Sequence, residues 1–117
     1  MVDLATFAPK SAQELGEGLL TVAAAKAKEQ WDKIRQEMTA QLSFIAQMTT
    51  KVIAQLAAKE ITAQRADVTL HLLEYNLNSA LAEFKFLVYN AAQKILSAVF
   101  DLIKAAVKNL TGISLLF

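Results

Sequence analysis

Cysteine is absent from this chain, histidine and tryptophan occur once each, and proline is confined to Pro9. Without thiols there are no disulfides, no cysteine nucleophile and no cysteine-type zinc site, and the redox compartment stays open. Glycine is limited to Gly16, Gly18 and Gly112, so there is no glycine-rich phosphate loop, and residues 19–111 run without a helix breaker. No serine stands in a nucleophile-elbow sequence. Charge is sparse as well. Twelve Lys and Arg against 11 Asp and Glu leave a formal +1, with no basic stripe of the kind that displaces counterions from nucleic acid. An uncharged apolar window of the ~18 residues a membrane-spanning helix needs is missing too. Lys85, Lys94, Asp101, Lys104 and Lys108 punctuate the most apolar region. The first residues, Met1-Val2-Asp3-Leu4-Ala5-Thr6, place an acid where a secretory signal is basic, and no continuous apolar core follows. The expectation is cytoplasmic synthesis, followed by incorporation into a particle or onto a membrane surface.

What remains is apolar and periodic. The 117 residues suffice for one domain, and 55% of them are hydrophobic against 20% charged, with mean hydropathy +0.33. Two helices alone cannot hide that much apolar surface. Further helices, identical copies or lipid must cover it. One helical face is traced by Leu20, Ala24, Ala27, Trp31, Ile34, Met38, Leu42, Ile45, Met48, Val52 and Leu56. It resumes at Leu70, Leu73, Leu77, Leu81, Phe84, Val88, Ala92, Ile95, Val99, Leu102, Ala106 and Leu110. Between the halves the stripe loses its large residues, and Lys59, Glu60, Arg65 and Asp67 crowd together.

These features predict an all-α chain of long amphipathic helices. Residues 1–10 form a lead, residues 11–111 a single helical domain with a bend at 60–67, and residues 112–117 an apolar tail. Ser11, three residues before Glu14, opens the first helix in a capping-box arrangement. Gly16 and Gly18 make that start soft, Asp67 is a candidate cap for a second helix, and Thr111-Gly112 is a stop. An antiparallel hairpin is one architecture. The alternative is a continuous rod, because the second half of the stripe resumes nearly in phase, and such a rod would be about 140 Å long. Either is expected to assemble into an oligomeric bundle or tube, since a 3.6-residue repeat disfavours a long left-handed supercoil.

Residues 26–37 carry a mixed, solvated set of charges, with Glu29 and Lys33 at the favourable i,i+4 spacing. From 38 to 58 Lys51 is the only charge, and uncharged Thr, Gln and Ser alternate with apolar residues, a pattern suited to a helix packed on several sides. The expected oligomer interface is Trp31, Ile34, Met38, Gln41, Ile45, Met48, Val52, Gln55 and Leu56 from the first half. Leu77, Leu81, Phe84, Val88, Ile95, Val99 and Leu102 complete it from the second.

Asp67, His71 and Glu74 share a helical face, with Glu60 able to approach across a hairpin. A di-metal site in a bundle needs paired Glu-x-x-His motifs, and here the lone histidine precedes its acid, so a surface ion pair is the expectation. No enzyme activity, cofactor, metal or small-molecule substrate is expected. Asn109-Leu110-Thr111 matches a glycosylation acceptor by composition alone.

Over residues 84–110, Asn90, Gln93, Lys94, Ser97, Asp101, Lys104 and Lys108 gather on one side of a broad apolar face, as in an interfacial lipid-binding helix. Phe86, Tyr89 and Phe100, with Lys94, Lys104 and Lys108, are the candidate lipid-facing residues. The leading functional expectation is a non-enzymatic, self-assembling helical subunit of a larger complex such as a viral particle, secretion machine or filament. The alternative is a membrane-active or lipid-surface protein, either a pore-forming component or a granule coat. In general make-up, Ala-rich helices with a moderately apolar face, the chain resembles the phasins that coat polyester storage granules; the likeness is one of composition.

Overall fold

The computed structural model describes residues 3–115. These form four helices and no strand: α1 (Ala12–Ala27), α2 (Trp31–Ala57), α3 (Ala63–Ala82) and α4 (Tyr89–Thr111), with a 3-10 turn at Lys28–Gln30 joining the first two. The all-α expectation holds.

Helix ends follow local chemistry where a cap exists. The Ser11 hydroxyl accepts the Glu14 N–H at 3.1 Å and starts α1, so the two glycines do not delay it. Thr62, rather than Asp67, opens α3 by accepting the Arg65 N–H at 3.1 Å. At the end of α4, Gly112 takes the left-handed conformation (φ 78°) and donates to the Lys108 carbonyl at 2.7 Å. The end of α2 is a Schellman turn. The Glu60 N–H reaches the Gln55 carbonyl at 2.8 Å and the Lys59 N–H the Leu56 carbonyl at 3.1 Å, with Lys59 at φ 60° where glycine is usual.

The chain reverses three times instead of once. α1 packs along both α2 and α4, while α3 packs on α2 and α4 from the far side and does not approach α1. Gln93 Nε2 on α4 also donates to Asn78 Oδ1 on α3 at 3.1 Å. The two-helix hairpin and the rod are thereby both replaced by a four-helix bundle within one chain. Its longest dimension, 42 Å, is that of α2 alone at about 1.5 Å per residue. A radius of gyration of 13.6 Å is that of a compact chain, for which about 13 Å is usual at 100 residues. The expected bend at 60–67 overlaps the α2–α3 connection at 58–62, while residues 63–67 already belong to α3. The other two reversals lie at Lys28, with φ 54° and ψ −126°, and at residues 83–88.

The core closes around Leu15, Leu19, Ile34, Met38, Leu42, Leu70, Leu77, Ile95, Phe100, Leu102 and Ile103, all fully or almost fully buried. The N-terminal lead is strapped across it. Asn109 Nδ2 donates to the Leu4 and Phe7 carbonyls at 3.0 and 2.8 Å, and the Phe7 ring packs over Gly18. A Cβ at Gly18 would stand 2.7 Å from Phe7 Cζ, whereas one at Gly16 would meet Ala46 Cβ at an ordinary 3.6 Å. Gly16→Ala should therefore stabilise the fold by up to about 1 kcal/mol through helix propensity. Gly18→Ala should forfeit that gain by displacing the Phe7 ring. Paired thermal melts, with limited proteolysis of the lead, check the contrast; equal melting shifts for the two variants would contradict it.

Candidate functional site

The residues expected to form an oligomer interface lie, for the most part, inside this chain's own core. Ile34, Met38, Ile45, Val52 and Leu56 of α2 are buried, as are Leu77, Leu81, Ile95, Val99 and Leu102 of α3 and α4. Trp31, Met48 and Phe84 are half-buried and pack against the same cluster. Two unforeseen chain reversals are the cause, because they let one half of the stripe cover the other. Gln41 and Gln55 sit half-buried on the flank of α2, with Gln41 Nε2 donating to Glu37 Oε1 at 3.4 Å. Val88 alone of the set is largely exposed, at 67%.

The uncharged polar stretch of α2 divides similarly. Thr39, Ser43 and Gln47 line a shallow groove of about 330 Å³ against Ala12, Gly16 and Leu20 of α1. Thr49 is instead fully buried, and its hydroxyl has no hydrogen-bond partner. An orphaned buried hydroxyl costs about 1–3 kcal/mol, so Thr49→Val should raise the melting temperature by several degrees. A fall on calorimetry would mean that the hydroxyl is satisfied.

Of the acid and histidine cluster, His71 Nδ1 lies 3.3 Å from Glu74 Oε1 at the surface. No group of three or more His, Asp or Glu able to hold a metal ion exists among the described residues. The amide nitrogen of Asn109 is engaged by the two lead carbonyls. The expected lipid-facing set is split. Phe100 is 1% exposed and belongs to the core, because α4 buries a wide face against α1 and α3. Lys104 is half-buried, and Lys108 is exposed near the opposite end of α4 from Phe86, Tyr89 and Lys94. No helix among the described residues is long and apolar enough to cross a membrane. In the expected apolar tail, Ile113 and Leu115 pack partly against the core, and Leu116 and Phe117 lie outside the described residues.

Leu4, Phe44 and Leu110 are exposed away from the two apolar surfaces that gather three large side chains each, and the electrostatics of those two differ. The first is the outward side of α3. Val68, Leu72 and Tyr75, at i, i+4 and i+7, are each more than half exposed, directly opposite the buried Ala66, Leu70, Leu73 and Leu77. Gln64, Ser79 and Ala82 continue this face along the helix, uncharged themselves and bordered at its start by Glu60 and Arg65. The stripe traced from sequence follows only the inner face of α3, although Val68, Leu72 and Tyr75 show the same helical spacing.

The second surface is the end of the bundle where the Lys28–Gln30 turn meets the 83–88 connection. Phe86, Val88 and Tyr89 protrude there at 44%, 67% and 75% exposure. The Phe84 and Phe86 rings lie 5.9 Å apart, and Lys33 Nζ stands 5.2 Å from the centre of the Phe86 ring. Beside them a groove of about 480 Å³ is walled by Ala25, Ala27, Leu87 and Ala91 and rimmed by Lys26, Lys28, Lys94 and Glu29. In comparisons with known proteins, no family model, curated protein or solved structure matches this chain.

Proposed function

We propose that this protein is a non-enzymatic structural subunit that associates with a second copy of itself through the outward face of α3. One observation carries this reading: α3 is apolar on two opposite faces, and the bundle covers only one. α3 is also the helix with the least packing inside the bundle, touching α2 and α4 but not α1. A helix apolar on both sides calls for a partner on each.

Charge selects a second copy as the occupant. A two-fold interface sets a patch against itself, so like charges within it repel, and an uncharged stripe such as Gln64, Val68, Leu72, Tyr75, Ser79 and Ala82 suits that pairing. The lysine-rimmed end of the bundle does not. One helix face supplies a contact near the lower limit of stable interfaces, about 1,200 Å² in total.

Light scattering on a size-exclusion column over a concentration series tests the reading. The mass should rise from 12.8 kDa toward twice that value as concentration increases. A mass fixed at that of the monomer up to about 1 mM, where only −4 kcal/mol of association would be needed, would overturn it.

A further inference from the structure

We infer that the end of the bundle formed by the 83–88 connection and the Lys28–Gln30 turn docks onto an anionic lipid bilayer, with Phe86, Val88 and Tyr89 entering the headgroup layer. The three side chains protrude from the end of the molecule, where bulky apolar groups gain nothing from water. Tyrosine and phenylalanine beside lysines are the side chains that settle at a membrane–water boundary, the ring partly immersed and the ammonium at headgroup level.

Five lysines, Lys26, Lys28, Lys33, Lys85 and Lys94, lie at this end against Glu29, Asp32 and Glu83, with Asp101 sharing the adjoining groove of Lys26 and Lys94. Among the described residues Lys26, Lys28, Lys85 and Lys94 form no ion pair, so their charge is available to an outside partner. Lys33 covers one face of the Phe86 ring, holding cation and ring together at the crest. The surface excess is positive and points to anionic headgroups. A protruding apolar crest fits a deformable layer, whereas a folded acidic protein would need a cavity shaped to receive it. Nucleic acid could stack on Phe86 and Tyr89 but would gain nothing from Val88, whereas all three side chains contribute at a bilayer boundary.

Lys28 adds a local reason. Its backbone, at φ 54° and ψ −126°, is one that glycine adopts far more readily, yet a lysine stands there on the rim of the groove. Fold stability and surface binding therefore make opposite demands at this position.

Flotation with vesicles of phosphatidylcholine alone, or mixed with phosphatidylglycerol, tests the inference on the full chain. The protein should float with the mixed vesicles at low salt, be released as salt is raised, and stay behind with pure phosphatidylcholine. Neutralising Lys28 and Lys94 together (Lys28→Gln, Lys94→Gln) should weaken binding by about fivefold per lysine. Val88→Ser with Tyr89→Ser should weaken it by a similar amount or more. Lys28→Gly should bind less well while melting no lower than the parent, which separates lost docking from lost folding. No flotation at low salt, equal binding to neutral vesicles, equal affinity for heparin, or full binding by the Val88 and Tyr89 double variant would each overturn the inference. A Leu72→Glu variant, altered only on α3, should bind vesicles through the end surface whether or not the chain self-associates, so failure of one proposal is distinguishable from failure of the other.

Discussion

Truncating Phe100 to alanine should destabilise the protein by about 3–5 kcal/mol, against a total of about 5–15 kcal/mol for a domain of this kind. Phe100 is the largest of the fully buried side chains, enclosed where α4 meets its neighbours. Removing its ring deletes the transfer free energy of the aromatic group and leaves a void among branched side chains that cannot all relax into it. At this chain length each kcal/mol shifts the melting temperature by about 4–8 °C, so the variant should melt some 20 °C lower or fail to fold at room temperature. Phe86→Ala, by contrast, removes a ring already 44% exposed and should change stability by well under 1 kcal/mol. Chemical denaturation of the two variants side by side gives the comparison. Near-wild-type stability for Phe100→Ala would mean that α4 does not turn this face inward.

That prediction turns on an assignment the sequence left ambiguous. On α4 the apolar arc is so wide that periodicity alone does not separate Phe100, which faces the bundle, from Tyr89, which faces out. Helix content, the Ser11 cap, the Gly112 stop and the break near residue 60 were legible because each has its own chemical signal. The reversal at Lys28 was not, and the break near residue 60 lacked a turn residue. Both put lysine at positive φ, where glycine or asparagine would have announced the turn. The 83–88 connection did leave a trace: Phe84, Phe86, Val88 and Tyr89 are all weaker helix formers than the leucine and alanine around them. The in-phase return of the stripe carried no information about continuity, since each helix turns an apolar face to the same core.

The same reversals explain why most residues of the expected interface lie inside the chain's own core. Once the chain folds back three times, the face traced by Ile34, Ile45, Leu77 and Ile95 is saturated internally. Any association must use what is left over. Besides Leu4, Phe44 and Leu110, what is left over groups into a neutral stripe on α3 and a crest ringed by lysine on the end of the bundle. Their different charge is the ground for proposing different partners, a second copy for the stripe and an anionic layer for the crest.

Leu72→Glu should abolish dimer formation while leaving the folded monomer intact. Leu72 is 57% exposed and lies on the far side of α3 from Leu70 and Leu73, so a carboxylate there remains hydrated in the monomer, and the change in stability should stay within about 0.5 kcal/mol. Across a two-fold interface the single substitution acts twice. Each copy loses an apolar contact, and the two carboxylates approach one another in a region being stripped of water. Together these terms should raise the dimer dissociation constant by at least about 100-fold, equivalent to some 2.7 kcal/mol, which sedimentation equilibrium resolves directly. Tyr89→Ser, at the bundle end, should leave the dissociation constant where it was. If Leu72→Glu instead unfolds the chain, its side chain serves the core; if the variant associates as the parent does, a surface other than α3 joins the copies.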